Sequence, residues 1–429
     1  MNKGGMFLVS FLLAASVFSY KGSVRAQDLS AGTLDALVQE ALDNNPRVQQ
    51  AFHEWKAEQY RIDNVRGLPD PNLSYGYFGE GIETRVGPQE QKFGVSQKVP
   101  FPGKLKRKGK AQTKQAQIFK EKYKAAKSEV VKNVKVVFYD LYWLDRALQI
   151  NEEEKTILEK LEKSAQRKYE SNLGPQRDVI KLQIELSNII KKIALLGQTR
   201  KSVATQMNRL LDRDAELSID AVTKVQADGF SYTLKDILEK TKNSRQDLIA
   251  ANLSVEKSEI EKTLARMDYL PDFTFGYEYI EIGKGSTSFI DDGQDAWMGK
   301  VSVNVPFWFG KIKSKVKAKE EELKAAREKQ EDIASLVDYQ ARDMYFKIVT
   351  YKEIIVLYET ALVPQSQQAF DASQTGFETG SVSFLDWLDA QRTYLRTRSA
   401  YYKAITDYQK SIAILEKVVG KTLGGKNEQ

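Results

Sequence analysis

The chain has 429 residues, 41% hydrophobic and 29% charged, with 65 Lys and Arg against 58 Asp and Glu for a formal net charge of +7. It contains no Cys and a single His, which excludes disulfides, iron–sulfur clusters, thiolate metal sites and a Cys-borne lipid anchor. The two charge signs are interleaved, the pattern of a solvated surface and not of a one-sided basic patch, so no nucleic-acid partner is expected.

At the amino end, Lys3 precedes an apolar stretch from Met6 to Phe18 and the small residues Val24 and Ala26. This is the layout of a secretory signal peptide over residues 1–26, with the mature chain starting at Gln27. The apolar run falls short of the ~20 residues that a membrane-crossing helix needs, so cleavage is expected over an anchor.

Residues 30–66 then carry helical periodicity through Leu34, Leu37, Val38, Ala41 and Leu42, interrupted at Pro46. After Leu68-Pro69-Asp70 the pattern changes to alternation, which predicts a β-hairpin over 72–99. Leu73, Tyr75 and Tyr77 fall on one face and Ser74 and Gly76 on the other; Phe93, Val95, Gln97 and Val99 oppose Gly94, Ser96 and Lys98 in the same way. The polar connection GEGIETRVGPQE reads as an exposed loop.

From Lys104 a helix is predicted over 104–171, with no Pro and only Gly109 within it. At 1.5 Å per residue it is ~100 Å long and needs lateral partners throughout. Val130, Val134, Phe138 and Leu141 form its apolar stripe, and Val131, Val137 and Tyr142 widen it towards neighbours on two flanks. A return helix over 175–213 and an equatorial linker over 215–231 follow.

The second half repeats this order: a helix over 232–266, a hairpin over 273–307 with the polar loop GKGSTSFIDDGQDA, an unbroken helix over 311–375, a return helix over 383–419 and a tail over 421–429. Tyr169 aligns with Phe377, Glu170 with Glu378, Asp178 with Asp386 and Gln183 with Gln391. Leu68 aligns with Leu270, each followed by Pro-Asp, and VPFPGK from Val99 aligns with VPFWFGK from Val305 after one insertion. Ordered landmarks of this kind imply a tandem duplication of 27–214 as 232–420.

An exported sheet of four strands has two edges to hide. Strands of this length with one aromatic face and one small or polar face suit a membrane barrel, whose smallest members use about eight strands. Copies must therefore pool strands, and three copies supply twelve. Pro69 and Pro271 mark the passage from helix to strand; Pro100, Gly103, Pro306 and Gly310 mark the passage back. The competing expectation is a periplasmic coiled-coil scaffold whose hairpins pack on its own helices without a channel.

Nothing points to an enzyme, a cofactor or a resident metal. His53 sits beside Glu54 in a charged helix, the stretch GKGSTSF lacks the spacing of a phosphate-binding loop, and Met207, Met267, Met298 and Met344 are scattered.

Several segments together resemble one family. ALDNNP (Ala41 to Pro46), LPDPNLSYGY, FPGK, YESNLGPQRDVI and FETGSVSFLDWLDAQRTYLRTRSAYYKAITDYQKSI look like the TolC-type outer-membrane efflux factors across essentially the whole mature chain. The resemblance implies a mixed α and β fold: a homotrimer with a twelve-stranded barrel in the outer membrane of a Gram-negative-type bacterium, continued by a helical barrel through the periplasm. It implies a periplasmic adaptor and an inner-membrane pump of the proton-driven resistance type as partners, outer-membrane lipid around the barrel, and passage of small solutes without covalent chemistry. DPNLSY and FPGK are also similar to the branch paired with heavy-metal exporters, against general drug or solute export.

In this family the long helices turn back at a narrowed periplasmic entrance. Asp386 and Asp389 match its two acidic positions; three residues apart on a helix they share a face, and threefold symmetry would stack them as two acidic rings that favour cations. Capping and the helix dipole give a plainer reason for Asp near a helix start. Val382 stands where a close relative has an Arg that helps to hold the entrance shut, so that latch is not carried over. Leu173, Gly174, Gly380 and Ser381, at the two exposed turns, are candidate adaptor contacts.

Overall fold

The computed structural model describes residues 34–222, 225, 229–285 and 290–423. The expected signal peptide and the last six residues of the tail lie outside the described residues.

Each repeat is built on one long helix flanked by shorter ones. In the first, α1 (Leu34–Asn44) and α2 (Pro46–Arg66) lead to β1 (Asn72–Thr84) and β2 (Gly87–Val99), then α3 (Lys104–Glu170) and α4 (Gln176–Leu211). In the second, α5 (Leu234–Ser244) and α6 (Gln246–Arg266) lead to β3 (Phe273–Ile282) and β4 (Ala296–Val303), then α7 (Phe309–Leu357), α8 (Val363–Thr379) and α9 (Phe384–Val419). Along α3, α2 packs on one half and α4 on the other; α6 and α9 pack along α7 in the same way. Helices α4 and α9 have 36 residues each, and α2 and α6 have 21 each, so the duplication survives at the level of single turns.

The shorter helices meet end to end at the equator, where each opening helix is broken. Asn45 caps α2 by accepting from Arg47 N at 3.0 Å, while its Nδ2 donates to Leu210 O at the end of α4 at 2.8 Å. In the second repeat there is no Pro at the break; the buried Arg245 takes the position and donates to Lys417 O, and Gln246 Nε2 donates to Gly420 O at 2.9 Å. Sequence periodicity showed residues 232–266 as one helix because the device here is a buried guanidinium that ties off the end of α9. Below each break lies a core: Ala41, Val48, Val134, Leu141, Met207 and Leu211 in the first repeat, and Ile237, Ala341, Ile348, Tyr408, Leu415 and Val419 in the second. The start of the linker is docked on the first core, with Val222 N donating to Asp145 Oδ2 at 2.8 Å.

The sequence reading of 311–375 as one unbroken helix is corrected. A π-helical turn at Tyr358–Leu362 separates α7 from α8, with Val363 N donating back to Tyr358 O. Pro364 follows at once; its ring would collide with a carbonyl one turn back in a regular helix and it donates no hydrogen bond. The same turn absorbs an insertion, because Lys104 aligns with Lys311 but Tyr169 with Phe377, one residue further on. Without the wider turn, everything below it would be rotated by about 100°.

The four strands form one antiparallel sheet in the order β1-β2-β3-β4. The connection read as an exposed loop is mostly strand: β1 runs on to Thr84 and β2 starts at Gly87, leaving Arg85 and Val86 as the turn. A register shift between Tyr77 and Ile82 lets the polar stretch keep pairing. Conversely β4 ends at Val303, short of Val305 and Phe307, since Asn304 N pairs with Asp272 O and the chain then bends through Pro306 into α7.

Candidate functional site

The functional geometry lies in three layers, and the sheet is the first. Registers Tyr75↔Phe93, Phe93↔Tyr279 and Tyr279↔Trp297 put aromatics from all four strands on one face. Leu73, Tyr75, Tyr77, Val95, Phe275, Tyr277, Val301 and Val303 share that face and are exposed. Tyr277 stacks on Trp297 with ring centroids 6.0 Å apart. The opposite face carries Ser74, Gly76, Gly94, Ser96 and Gly276 and an ion pair, Lys92 Nζ to Glu278 Oε2, at 2.6 Å. One face therefore suits lipid and the other water.

The second layer is the junction between sheet and helices. Gly103 adopts φ 93°, a left-handed conformation that turns β2 into α3 and that side chains other than Gly adopt at a cost. Pro69, Pro100, Pro271 and Pro306 lie in the short links beside the strands, outside regular secondary structure, and Pro306 sits in a tight turn closed by Phe307 N donating to Val305 O at 3.0 Å. Gly310 does not act as a corner: it lies inside the first turn of α7, because the inserted residue lets the helix begin at Phe309.

Sequence reasoning missed the organising residue of this layer, Asp272. Its Oδ1 accepts from Lys104 Nζ at 2.8 Å and from Phe101 N at 3.0 Å, and its Oδ2 lies 3.3 Å from Lys98 Nζ. Lys104 is buried and also donates to Leu270 O at 3.0 Å. Burial alone would raise the Asp272 carboxyl, but the bonds from Lys104, Phe101 N and Lys98 outweigh it and hold the group below the ordinary carboxylate range. The available signal was the Pro-Asp repeated at 69–70 and 271–272.

The third layer is the tip, where α3 turns into α4 and α8 into α9. Both turns close in the same way: Leu173 N donates to Lys168 O at 2.7 Å, and Ser381 N donates to Gly376 O at 2.8 Å. The aligned residues Asn172 and Gly380 take the left-handed conformation, φ 55° and 82°. The left-handed residue of the first turn is thus Asn172, and Gly174 lies two residues beyond it. Leu173 projects from the turn at 79% exposure, and Gly380 and Ser381 are exposed.

Beneath the turns, Leu158, Leu182, Phe370, Phe384, Trp387 and Leu388 form a core, with Phe377 and Val382 packed against it. Val382 is therefore an apolar strut of the tip. Its Cγ2 fills the space beside Gly376, where a Cβ would come within 2.4 Å.

Asp386 and Asp389 lie on the face of α9 opposite the buried Trp387 and Leu388, and both are exposed. Ser383 caps α9 by accepting from Asp386 N at 3.2 Å, and its hydroxyl donates to Asp386 Oδ2 at 2.7 Å. Capping and an outward acidic face thus coexist at Asp386. The single acid of the other turn, Asp178, sits 3.6 Å from Arg177. Above the tip, Glu154, Glu185, Lys192, Arg392, Arg396 and Lys403 line a groove of about 590 Å³ between α3, α4 and α9. Burial pushes the Glu154 carboxyl up, opposed by Lys192.

No cluster of three or more acidic or imidazole groups among the described residues is placed to hold a metal, and no helix among them is long and apolar enough to cross a membrane. His53 lies exposed on α2, against the ring of Phe52.

The sequence model of the family described as outer membrane efflux protein matches residues 37–213 and 237–421, one segment for each repeat. The chain belongs to the outer membrane efflux protein family. Outer membrane protein TolC of Vibrio cholerae serotype O1 is 21% identical over 428 residues, 96% of this chain and 95% of that one. The cobalt-zinc-cadmium resistance protein CzcC of Cupriavidus metallidurans is 33% identical over 60 residues, 14% of each chain. The crystal structure of CusC superposes with a TM-score of 0.77 at 16% identity, covering 91% of this chain and 92% of that one. This efflux protein is accordingly an outer-membrane channel component that extends into the periplasm, of the exit-duct type used by tripartite systems, and a conduit with no catalytic step.

Proposed function

We propose that three copies of this chain close a twelve-stranded barrel continued by a helical duct, which passes small solutes from a periplasmic adaptor and an inner-membrane pump to the exterior. The observation that carries this reading is the two-faced sheet. Aromatics from all four strands are exposed on one side, small and charged residues lie on the other, and both edge strands, β1 and β4, have no partner strand on their outer side among the described residues. A sheet of this kind in water would expose an apolar face and two open edges.

In the duct, Asp386 and Asp389 would form two acidic rings at the periplasmic entrance, and Leu173, Gly174, Gly380 and Ser381 would meet the adaptor. A pump of the proton-driven resistance type supplies the energy. The local likeness to a cobalt-zinc-cadmium resistance protein favours metal cations among the cargo. Their selection then belongs to the pump and adaptor, since this chain has one His and no Cys.

Replacing Asn72–Val99 by a short linker separates this reading from a periplasmic scaffold. The duct predicts loss of both outer-membrane insertion and the trimer on membrane fractionation. Retained assembly in the soluble periplasmic fraction would establish the scaffold instead.

A further inference from the structure

Both long helices leave the sheet through the same basic pattern. Lys104, Lys106 and Lys110 open α3, and at the same spacing Lys311, Lys313 and Lys317 open α7. No acid occurs in α3 before Glu121 or in α7 before Glu320, so these first turns lack the mixed signs of an ordinary solvated helix face. The helix dipole disfavours cations there, and helix stability gives no reason for them. Lys106, Arg107, Lys110, Lys313 and Lys317 are exposed and have no ion-pair partner among the described residues. Glu256 and Glu259, which share a groove with Lys106 and Lys110, are already paired with Lys114 and Arg327.

The side on which these cations stand follows from the clasp at the junction. Asp272 continues the alternation of Thr274, Gly276 and Glu278 on the polar face of the sheet, and Lys98, on the same face of β2, reaches it at 3.3 Å. Lys104, bound to Asp272, therefore points to the polar side. At 100° per residue Lys106 and Lys110 stand about 200° and 240° around α3 from Lys104, on the opposite side. They continue the aromatic face of the sheet downwards, and Lys313 and Lys317 hold the equivalent angles on α7.

A second exposed element lies between that face and the cations. Beyond the end of β4 at Val303, Phe307, Trp308 and Phe309 are 73%, 80% and 59% exposed. Phe309 stacks on Tyr269 with ring centroids 6.3 Å apart, and Tyr269 is itself exposed. In water such a cluster would be an open apolar patch. At a membrane interface, rings of this kind sit at headgroup level, and Lys side chains lay their stems along apolar surface with the charge among the headgroups. The order down the chain is thus apolar strand face, aromatic belt, unpaired cations.

We infer that Lys106, Arg107, Lys110, Lys313 and Lys317 form a collar beneath the barrel that binds the anionic headgroups of glycerophospholipids in the leaflet facing the periplasm. The headgroup charge lies on the cations, and the acyl chains lie against Phe307, Trp308 and the aromatic face of the sheet. This rests on the membrane barrel proposed above and adds the class of lipid and the residues that select it.

The test places the full-length protein in nanodiscs of phosphatidylcholine mixed with phosphatidylglycerol and compares the association of spin-labelled phosphatidylglycerol with that of spin-labelled phosphatidylcholine. The parent should prefer the anionic lipid about fivefold at low salt, less as ionic strength rises. Combining Lys106→Gln, Lys110→Gln, Lys313→Gln and Lys317→Gln should abolish the preference, and a preference that survives all four overturns the inference. Lys108→Gln with Lys315→Gln is the control, since these lysines stand only about 40° from the direction of Lys104 and its equivalent. It should keep the preference; equal loss from the control overturns the assignment of sides. Insertion of the parent as a trimer without any preference overturns the inference and leaves the barrel standing, whereas failure to enter discs of any composition overturns both. Displacement of the labelled lipid by soluble glycerol phosphate at constant ionic strength would assign the collar to a free anion and overturn the lipid reading.

Discussion

Lys104 Nζ lies 2.8 Å from Asp272 Oδ1, so the residue that opens the long helix of one repeat holds the residue just ahead of a strand of the other. Replacing Lys104 by Met strips the carboxylate of its buried cation and should cost about 2 kcal/mol at neutral pH. The folded-state pKa of Asp272 is depressed from 3.8, so its contribution is present above that value and is lost as pH falls through the folded pKa. Thermal unfolding of Lys104→Met and of the parent should therefore differ at neutral pH and converge as the pH falls through the depressed folded-state pKa of Asp272. An equal gap at both ends would mean that the pair stabilises by packing alone.

Glu154 behaves in the opposite sense. Burial raises its pKa above 4.5, so the native state binds the proton more tightly and stability declines as pH rises through the folded value. Glu154→Gln should melt higher than the parent at neutral pH, with the advantage vanishing below about pH 4.5. A lower melting temperature at neutral pH would show that the contacts with Lys192 and Arg392 outweigh desolvation.

The π turn gives a prediction about chain length. Deleting Thr360 together with Pro364→Ala removes the extra residue and its breaker, leaving a regular helix with the tip in place. That variant should fold and resist protease like the parent. Deleting Lys329 instead, in the body of α7, should rotate either the upper or the lower part of the helix by about 100° and expose residues such as Phe370 and Phe377 to cleavage. Equal protease resistance of the two deletions would refute the role given to this turn.

At the tip, Gly376→Ala should destabilise by about 1–3 kcal/mol through its contact with Val382. Adding Val382→Ala should recover part of that loss, because it vacates the space that the new methyl group enters. A double-mutant cycle measures the coupling, and simple additivity would separate the two positions.

Much of this architecture was legible in the sequence because it is periodic and written twice. Alternation of Leu73, Tyr75 and Tyr77 fixed a strand face, and the Asp178/Asp386 alignment located both turns. What stayed hidden depends on partners far apart in the chain or on single-turn geometry. The role of Asp272 needs Lys104, over 160 residues away, and the break at Arg245 needs a carbonyl of α9. Pro364 was visible as a residue, yet periodicity on both sides of it concealed the π turn. The extension of β1 to Thr84 was masked by polar residues, since backbone pairing rather than side-chain burial holds that end of the hairpin.

The measurement that tests the central claim most directly is single-channel conductance of the purified assembly in a planar bilayer, compared with Asp386→Ala plus Asp389→Ala. A trimeric duct with acidic rings at its mouth predicts discrete conductance steps whose preference for cations weakens in the double variant. Discrete steps with an unchanged preference would contradict the rings, and no conductance from either protein despite verified insertion would contradict the duct as an open conduit.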